Sequence, residues 1–168
     1  MNLNTHVREL VTAGKLDELD ILLPLEPRAI RHLVSLTYQP DDAIRANACR
    51  GVAMAARYHP ELVEQVVKRL VWAMNDESGT NALTAPEVIL AVAAERPQVL
   101  LPVVSDLTRL SRDKGLKEGL TEALRMVIEA YPGSVGRGIQ KTLNKQFEGK
   151  NKYKKRGQDY GGCGCGKK

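Results

Sequence analysis

Apolar positions in this chain recur with the spacing of helices. From Pro60 to Met74 they fall at Leu62, Val63, Val66, Val67, Leu70, Val71 and Met74, in alternating steps of one and three. That is the 3.6-residue period of an amphipathic α-helix. The preceding segment, Asp41 to Tyr58, carries Ile44, Ala48, Val52, Ala55 and Ala56, and residues this small let neighbouring helices come close. A third stretch opens with Thr84-Ala85-Pro86-Glu87 and continues through Val88, Ile89, Val92 and Ala93. Its Thr-x-x-Glu spacing predicts a capping box, and Pro86 suits a first turn. The partner segment holds Val99, Leu100, Val103, Val104, Leu107 and Leu110, with Pro102 expected in the first turn or at a slight bend. Leu116, Leu120, Leu124, Val127 and Ile128 predict another helix. A weaker one is expected around Val135, Ile139 and Leu143, where Gly133, Gly136 and Gly138 lower helix propensity. Ahead of Pro27, Val7, Leu10 and Val11 predict a short N-terminal cap, and Leu16, Leu19, Ile21, Leu22 and Leu23 a first helix. No stretch keeps a period of two long enough for a strand, so the expected fold class is all-α.

The prolines set a longer period. Glu26-Pro27, His59-Pro60, Arg96-Pro97 and Tyr131-Pro132 recur at spacings of 33, 37 and 35 residues, the length of a helix-pair repeat. Each unit reads as helix, proline-marked corner, helix, because proline is tolerated in a first turn whose N–H has no partner anyway. Helix pairs of this length, with corner prolines and small residues in the first helix, resemble HEAT-like repeats, including those of phycobilin lyases and of small bacterial HEAT proteins. The run Trp72-Ala73-Met74-Asn75-Asp76-Glu77-Ser78-Gly79, followed by Ala85-Pro86-Glu87, is similar to a segment of the latter. The resemblance covers roughly residues 15–147 and implies a short right-handed α-solenoid of about four helix pairs that presents a surface for docking. It carries no activity. One Trp, one Phe and five Tyr leave little to hold a tetrapyrrole, which a lyase would need.

Charge divides the chain. Of the formal net charge of +5, residues 1–147 contribute nothing, holding 18 Lys and Arg against 18 Asp and Glu. Residues 148–168 hold seven basic side chains against Glu148 and Asp159. The chain is therefore expected to comprise a HEAT-like body, 1–147, and a flexible basic Gly/Lys-rich tail, 148–168, too polar to offset its own ordering entropy. A content of 43% apolar and 27% charged residues in 168 fits one globular domain. The N-terminus lacks the basic-then-apolar pattern of a secretory signal, so the expected location is cytoplasmic, where thiols stay reduced, and no membrane partner is expected.

The tail ends in Gly162-Cys163-Gly164-Cys165-Gly166. Free thiols are usually buried, so two in a polar segment ask for a reason. Lys155, Lys167 and Lys168 favour the thiolate form, and flanking glycines let both sulfurs of Cys163 and Cys165 reach one soft metal ion: Zn, Cu or an iron of an Fe–S cluster. Two ligands do not complete a tetrahedral site, which suits a carrier more than a cage. Cys49, mid-helix beside Ala48 and Val52, is expected to be a packing residue. His6, His32 and His59 share no ligand spacing and read as surface or corner residues. The polar loop Asn75–Asn81 lies where solenoids often bind, although its composition is also what a turn needs.

No phosphate-cradling glycine loop, nucleophile elbow or paired-acid motif is present, so the chain is not expected to be an enzyme. The leading functional expectation is a protein-interaction scaffold or accessory protein whose Cys-Gly-Cys tail binds or transfers a metal, Fe–S cluster or sulfur at a docked protein partner. Two alternatives stay open: a nucleic-acid-binding HEAT-like protein using the basic tail, which the neutral body disfavours, and a plain scaffold with an inert tail.

Overall fold

Each helix begins and ends for a local reason. In the computed structural model, which describes residues 2–76 and 83–156 (side chains only to Glu148, Gln146 excepted), Asn2 caps α1 (Leu3–Thr12) by accepting from the Asn4 N–H. The helix closes on Gly14, whose φ of 68° is the left-handed conformation open to glycine. There the Lys15 N–H reaches the Leu10 carbonyl at 2.9 Å and the Gly14 N–H reaches that of Val11 at 3.2 Å, the two bonds of a Schellman closure. Helices α2 (Leu16–Leu22) and α3 (Ala29–Leu36) follow across the Pro24–Arg28 corner. Asp41 caps α4 (Asp42–Tyr58), its Oδ1 accepting from Ala43 at 2.9 Å and Ile44 at 3.0 Å. Pro60 occupies the first turn of α5 (Pro60–Asn75). The residue before it, His59, donates from Nε2 to the Leu23 carbonyl at 2.9 Å and ties this corner to the end of α2.

Two local expectations are corrected. Helix α6 (Ala85–Glu95) starts where the pattern places it, but Thr84 has helical backbone angles and makes no capping bond; its hydroxyl is buried without a partner. A residue already helical cannot aim its side chain back at the N–H groups of the first turn, so no capping box forms. Beyond Arg96 the single partner helix is replaced by two pieces, a 3₁₀ segment η1 (Pro97–Val103) and α7 (Val104–Leu110). Pro102 has no N–H and its ring clashes with the carbonyl four residues back, so an α-helix cannot run through it. Helices α8 (Lys117–Ala130) and α9 (Arg137–Arg156) are the last among the described residues. Val135 lies before α9, and α9 runs through residues 148–156, which sequence reading assigned to the tail; Lys, Glu and Arg are good helix formers there. The rest of the expected tail, 157–168, lies outside the described residues.

The regular elements among the described residues are all helices, with no strand among them, so the fold is all-α. No helix among them is long and apolar enough to cross a membrane. The chain divides into two compact units, residues 1–135 and 136–168. Within the first, α1 packs on α4, α4 on α6 and α6 on α8; α3 packs on α1 and α4, α5 on α4 and η1, and α7 on α8. The core between them is built from the predicted stripes: Val7, Leu10, Val11, Leu19, Leu33, Val52, Val63, Val67, Ile89, Val92, Leu100, Leu107, Leu120 and Leu124 are buried. Each such side chain stabilises the fold by about 1.5–3 kcal/mol relative to exposure.

Two glycines permit close approach. A Cβ on Gly51 of α4 would fall 2.8 Å from Leu33 Cδ2 and 2.9 Å from Leu19 Cδ2, and one on Gly119 of α8 would fall 2.9 Å from the Pro86 ring of α6.

Candidate interaction site

A groove lies between α3 and α5 because these helices pack on α4 more closely than on each other. Its volume is about 310 Å³, and it is lined by Pro27, Ile30, Arg31, Val34, Tyr38, Leu62, Gln65, Val66, Arg69 and Leu70. The apolar stripe of α5 is wider than its core-facing part. Val63, Val67, Leu70, Val71 and Met74 are buried, whereas Leu62 and Val66, on the edge nearer α3, are left partly exposed. Tyr38, at the end of α3, is 42% exposed, and Trp72 of α5 is 71% exposed. Trp72 stands one turn beyond Arg69 and two beyond Gln65, so it extends that flank of the groove.

The electrostatics of this groove differ from those of the opposite surface. Along α4 and α8, Arg45, Arg57 and Arg125 are satisfied by carboxylates, while Arg50 of α4 has no ion pair among the described residues. Arg45 pairs with Asp42 at 2.5 Å and Glu87 at 3.0 Å, and these bonds, Asp42 first, raise its pKa. Arg57 bridges Asp20 at 3.2 Å and Glu95 at 2.8 Å, with its guanidinium over the Tyr58 ring. Tyr58 donates to Asp20 at 3.0 Å, which raises the phenol's pKa. Arg125 pairs with Glu122 and Glu129. A second depression of about 390 Å³ on this side is lined by Asp17, Asp20, Arg50, Arg57, Ala91 and Glu95 among others, with Asp20, Arg57 and Glu95 already engaged with each other. In the α3–α5 groove no carboxylate contributes to the lining, and neither Arg31 nor Arg69 has a hydrogen bond or ion pair among the described residues. Of the two acids on α5, Glu61 and Glu64, neither lines the groove, and Glu64 is held by Lys68 at 2.6 Å.

The residues singled out in the sequence are placed as follows. Cys49 is a buried packing residue of α4, 4% exposed, and burial pushes its thiol up to about 12. His59 is the corner residue bonded to Leu23. His6 and His32 are partly exposed. Among the described residues no three His, Cys, Asp or Glu gather into a group that could hold a metal ion. Cys163 and Cys165, and residues 77–81 of the polar loop, lie outside the described residues. Sequence reading did not single out Arg31, Arg69 or the groove. The available signal was the width of the α5 stripe, which exceeds what one core-facing contact buries.

No family model matches the chain, and no solved structure matches it. Over 108 residues it is 27% identical to an uncharacterized protein of Archaeoglobus fulgidus, an alignment covering 61% of this chain and 58% of that protein. The chain thus spans less than two thirds of the length of that relative.

Proposed function

We propose that this chain is an accessory protein: it docks a partner protein in the α3–α5 groove, and its C-terminal thiolates, Cys163 and Cys165, bind or transfer a soft metal, an Fe–S cluster or sulfur at that partner. In this reading the body is a short right-handed α-solenoid of HEAT-like helix pairs, works in a reducing cytoplasm and is not itself an enzyme. The observation that carries the docking half is the groove, an apolar floor flanked by two arginines with no carboxylate beside them. The succession of α1, α4, α6 and α8, each against the next, with α3, α5 and α7 beside them, supports the solenoid reading. The thiol half rests on the Gly-Cys-Gly-Cys-Gly sequence. A tether holding those thiols near a docked partner gives an effective concentration on the order of millimolar, so a weak two-ligand site becomes useful.

The test is metal content and visible absorption of protein purified without oxygen, beside the Cys163→Ser, Cys165→Ser double variant. Metal, or a charge-transfer band, that disappears in the variant is the expected result. Equal metal in both proteins would remove the thiol half and leave the docking half standing.

One observation favours a second reading, nucleic-acid binding. Arg137, Lys141 and Lys145 are exposed at i, i+4 and i+8 of α9, on one side of the helix. Phosphate contacts by such a row make log K fall steeply and linearly with log salt. Anisotropy of a labelled duplex across a salt series separates the two readings, and the charge balance of residues 1–147 favours the first.

A further inference from the structure

We infer that the occupant of the α3–α5 groove is an amphipathic helix of a partner protein, whose apolar side is bordered by carboxylates; this rests on the docking reading above. The floor (Ile30, Val34, Leu62, Val66) is apolar, so the segment it takes must present apolar side chains to it. The floor's length selects secondary structure. Leu62 to Leu70 along α5 corresponds to about 12 Å, or roughly two helical turns, which matches anchors at i, i+4 and i+7 of a docked helix. A helix lying between two others also satisfies its own backbone. The groove offers few groups that could do this for an extended strand: Gln65 and the two arginines are the polar side chains among its aliphatic residues and Tyr38.

Charge then selects among helices. Arg31 and Arg69 line the groove from its two walls, lack partners among the described residues and have no carboxylate in that lining, whereas Arg45, Arg57 and Arg125 are engaged and Arg50, which has no ion pair among those residues, lines a depression that Asp17, Asp20 and Glu95 also line. A helix with Glu or Asp on the flanks of its apolar stripe would complete both pairs. The chain's own tail is a poor occupant, because residues 148–168 carry seven cations against two acids and would bring like charge to both arginines. A second copy offers α2, which bears Asp17, Glu18 and the 70% exposed Ile21. That helix has only 7 residues, and its Asp20 is committed to Arg57 and Tyr58.

The sole tryptophan, Trp72, is exposed at the flank of the groove and reports binding directly by fluorescence. The probe is a synthetic peptide of about 15 residues, long enough for partial helicity, with leucines at i, i+4 and i+7 and glutamates flanking them. Its control replaces each glutamate with lysine. The full chain is expected to bind the acidic peptide about tenfold more tightly, the sum of two exposed pairs gained in place of two like-charge contacts. In the Arg31→Glu, Arg69→Glu variant, whose fold is checked by circular dichroism, the preference is expected to invert. Equal binding of both peptides, lost in a Leu62→Ser, Val66→Ser variant, would overturn the acidic partner but keep the docking groove. If neither peptide binds, both the acidic partner and the docking groove are overturned. Sedimentation showing self-association that Arg31→Glu, Arg69→Glu abolishes would assign the groove to a second copy and overturn the proposal.

Discussion

Gly119→Ala is expected to destabilise the protein even though alanine is the better helix former. The residue sits in the first turn of α8, where that helix crosses α6. An added Cβ would lie 2.9 Å from Pro86 Cβ and 3.5 Å from the Pro86 carbonyl oxygen. A carbon–carbon optimum is about 3.5–4.0 Å, so the new methyl is well inside repulsion. The neighbour is a pyrrolidine ring fixed to the backbone of α6, with no rotamer to move into, and relief requires separating the helices. Overpacking of this kind costs about 1–3 kcal/mol. Replacing glycine in a helix returns up to about 1 kcal/mol, and less in a first turn. The net loss is therefore about 1–2 kcal/mol, which at about 2–4 °C per kcal/mol lowers the melting temperature by roughly 2–8 °C. Thermal and urea melts followed by circular dichroism measure it, and an unchanged urea slope would show that the effect is on stability alone. Gly138→Ala in α9 is the control, because an added Cβ there meets nothing within 4 Å. It is expected to be neutral or stabilising by under about 1 kcal/mol. A Gly119→Ala protein as stable as the parent would refute the claim that α6 and α8 are held this close.

Other outcomes follow from the same structure. Burial holds the Cys49 thiol neutral, pushing it from 9.0 to about 12; since the folded value is raised, the contribution is complete below about pH 9 and is lost as pH rises toward 12. Urea midpoints between pH 8 and 10.5 should therefore fall more for the parent than for Cys49→Ala, with a slope difference approaching about 1.4 kcal/mol per pH unit above pH 9. In the Cys163→Ser, Cys165→Ser background, Cys49 is the one thiol left, and a thiol reagent should label it only in denaturant. Asp41→Ala removes the acceptor for Ala43 and Ile44 and is expected to cost about 1 kcal/mol, measured by urea denaturation. Arg57→Ala, by contrast, removes exposed pairs to Asp20 and Glu95 and should cost under about 1 kcal/mol, with the difference shrinking as salt is added.

What could be read from the sequence was whatever one helix decides alone. The stripe of α5, the Asp41 start of α4 and the proline corners depend on local periodicity and capping, and they stand where the pattern puts them. Thr84 shows the limit: its spacing to Glu87 is that of a capping box, but a backbone already helical at Thr84 leaves the hydroxyl unpartnered. Ile21 fits an apolar helix by type, and it is 70% exposed because the seven residues of α2 bury only one side. Gly51 and Gly119 gave no signal, since a glycine required by a neighbouring helix looks in sequence like a weak helix position.

The candidate site was hidden for the same reason. Arg31 and Arg69 are 38 positions apart in the chain and ordinary surface cations in their own helices. Their significance comes from the pairing of charges across helices. Asp20, Glu87 and Glu95 each reach arginines of α4 from another helix, and Glu122 and Glu129 engage Arg125 within α8. In a chain whose first 147 residues are electrically balanced, these acids are used locally, and the lining of the α3–α5 groove holds two cations and no carboxylate. Net neutrality, which in sequence argues against a charged ligand, therefore does not exclude a groove whose lining is cationic. A partner would be recognised through that imbalance together with the surplus apolar width of α5, and both arise only once α3 and α5 stand side by side.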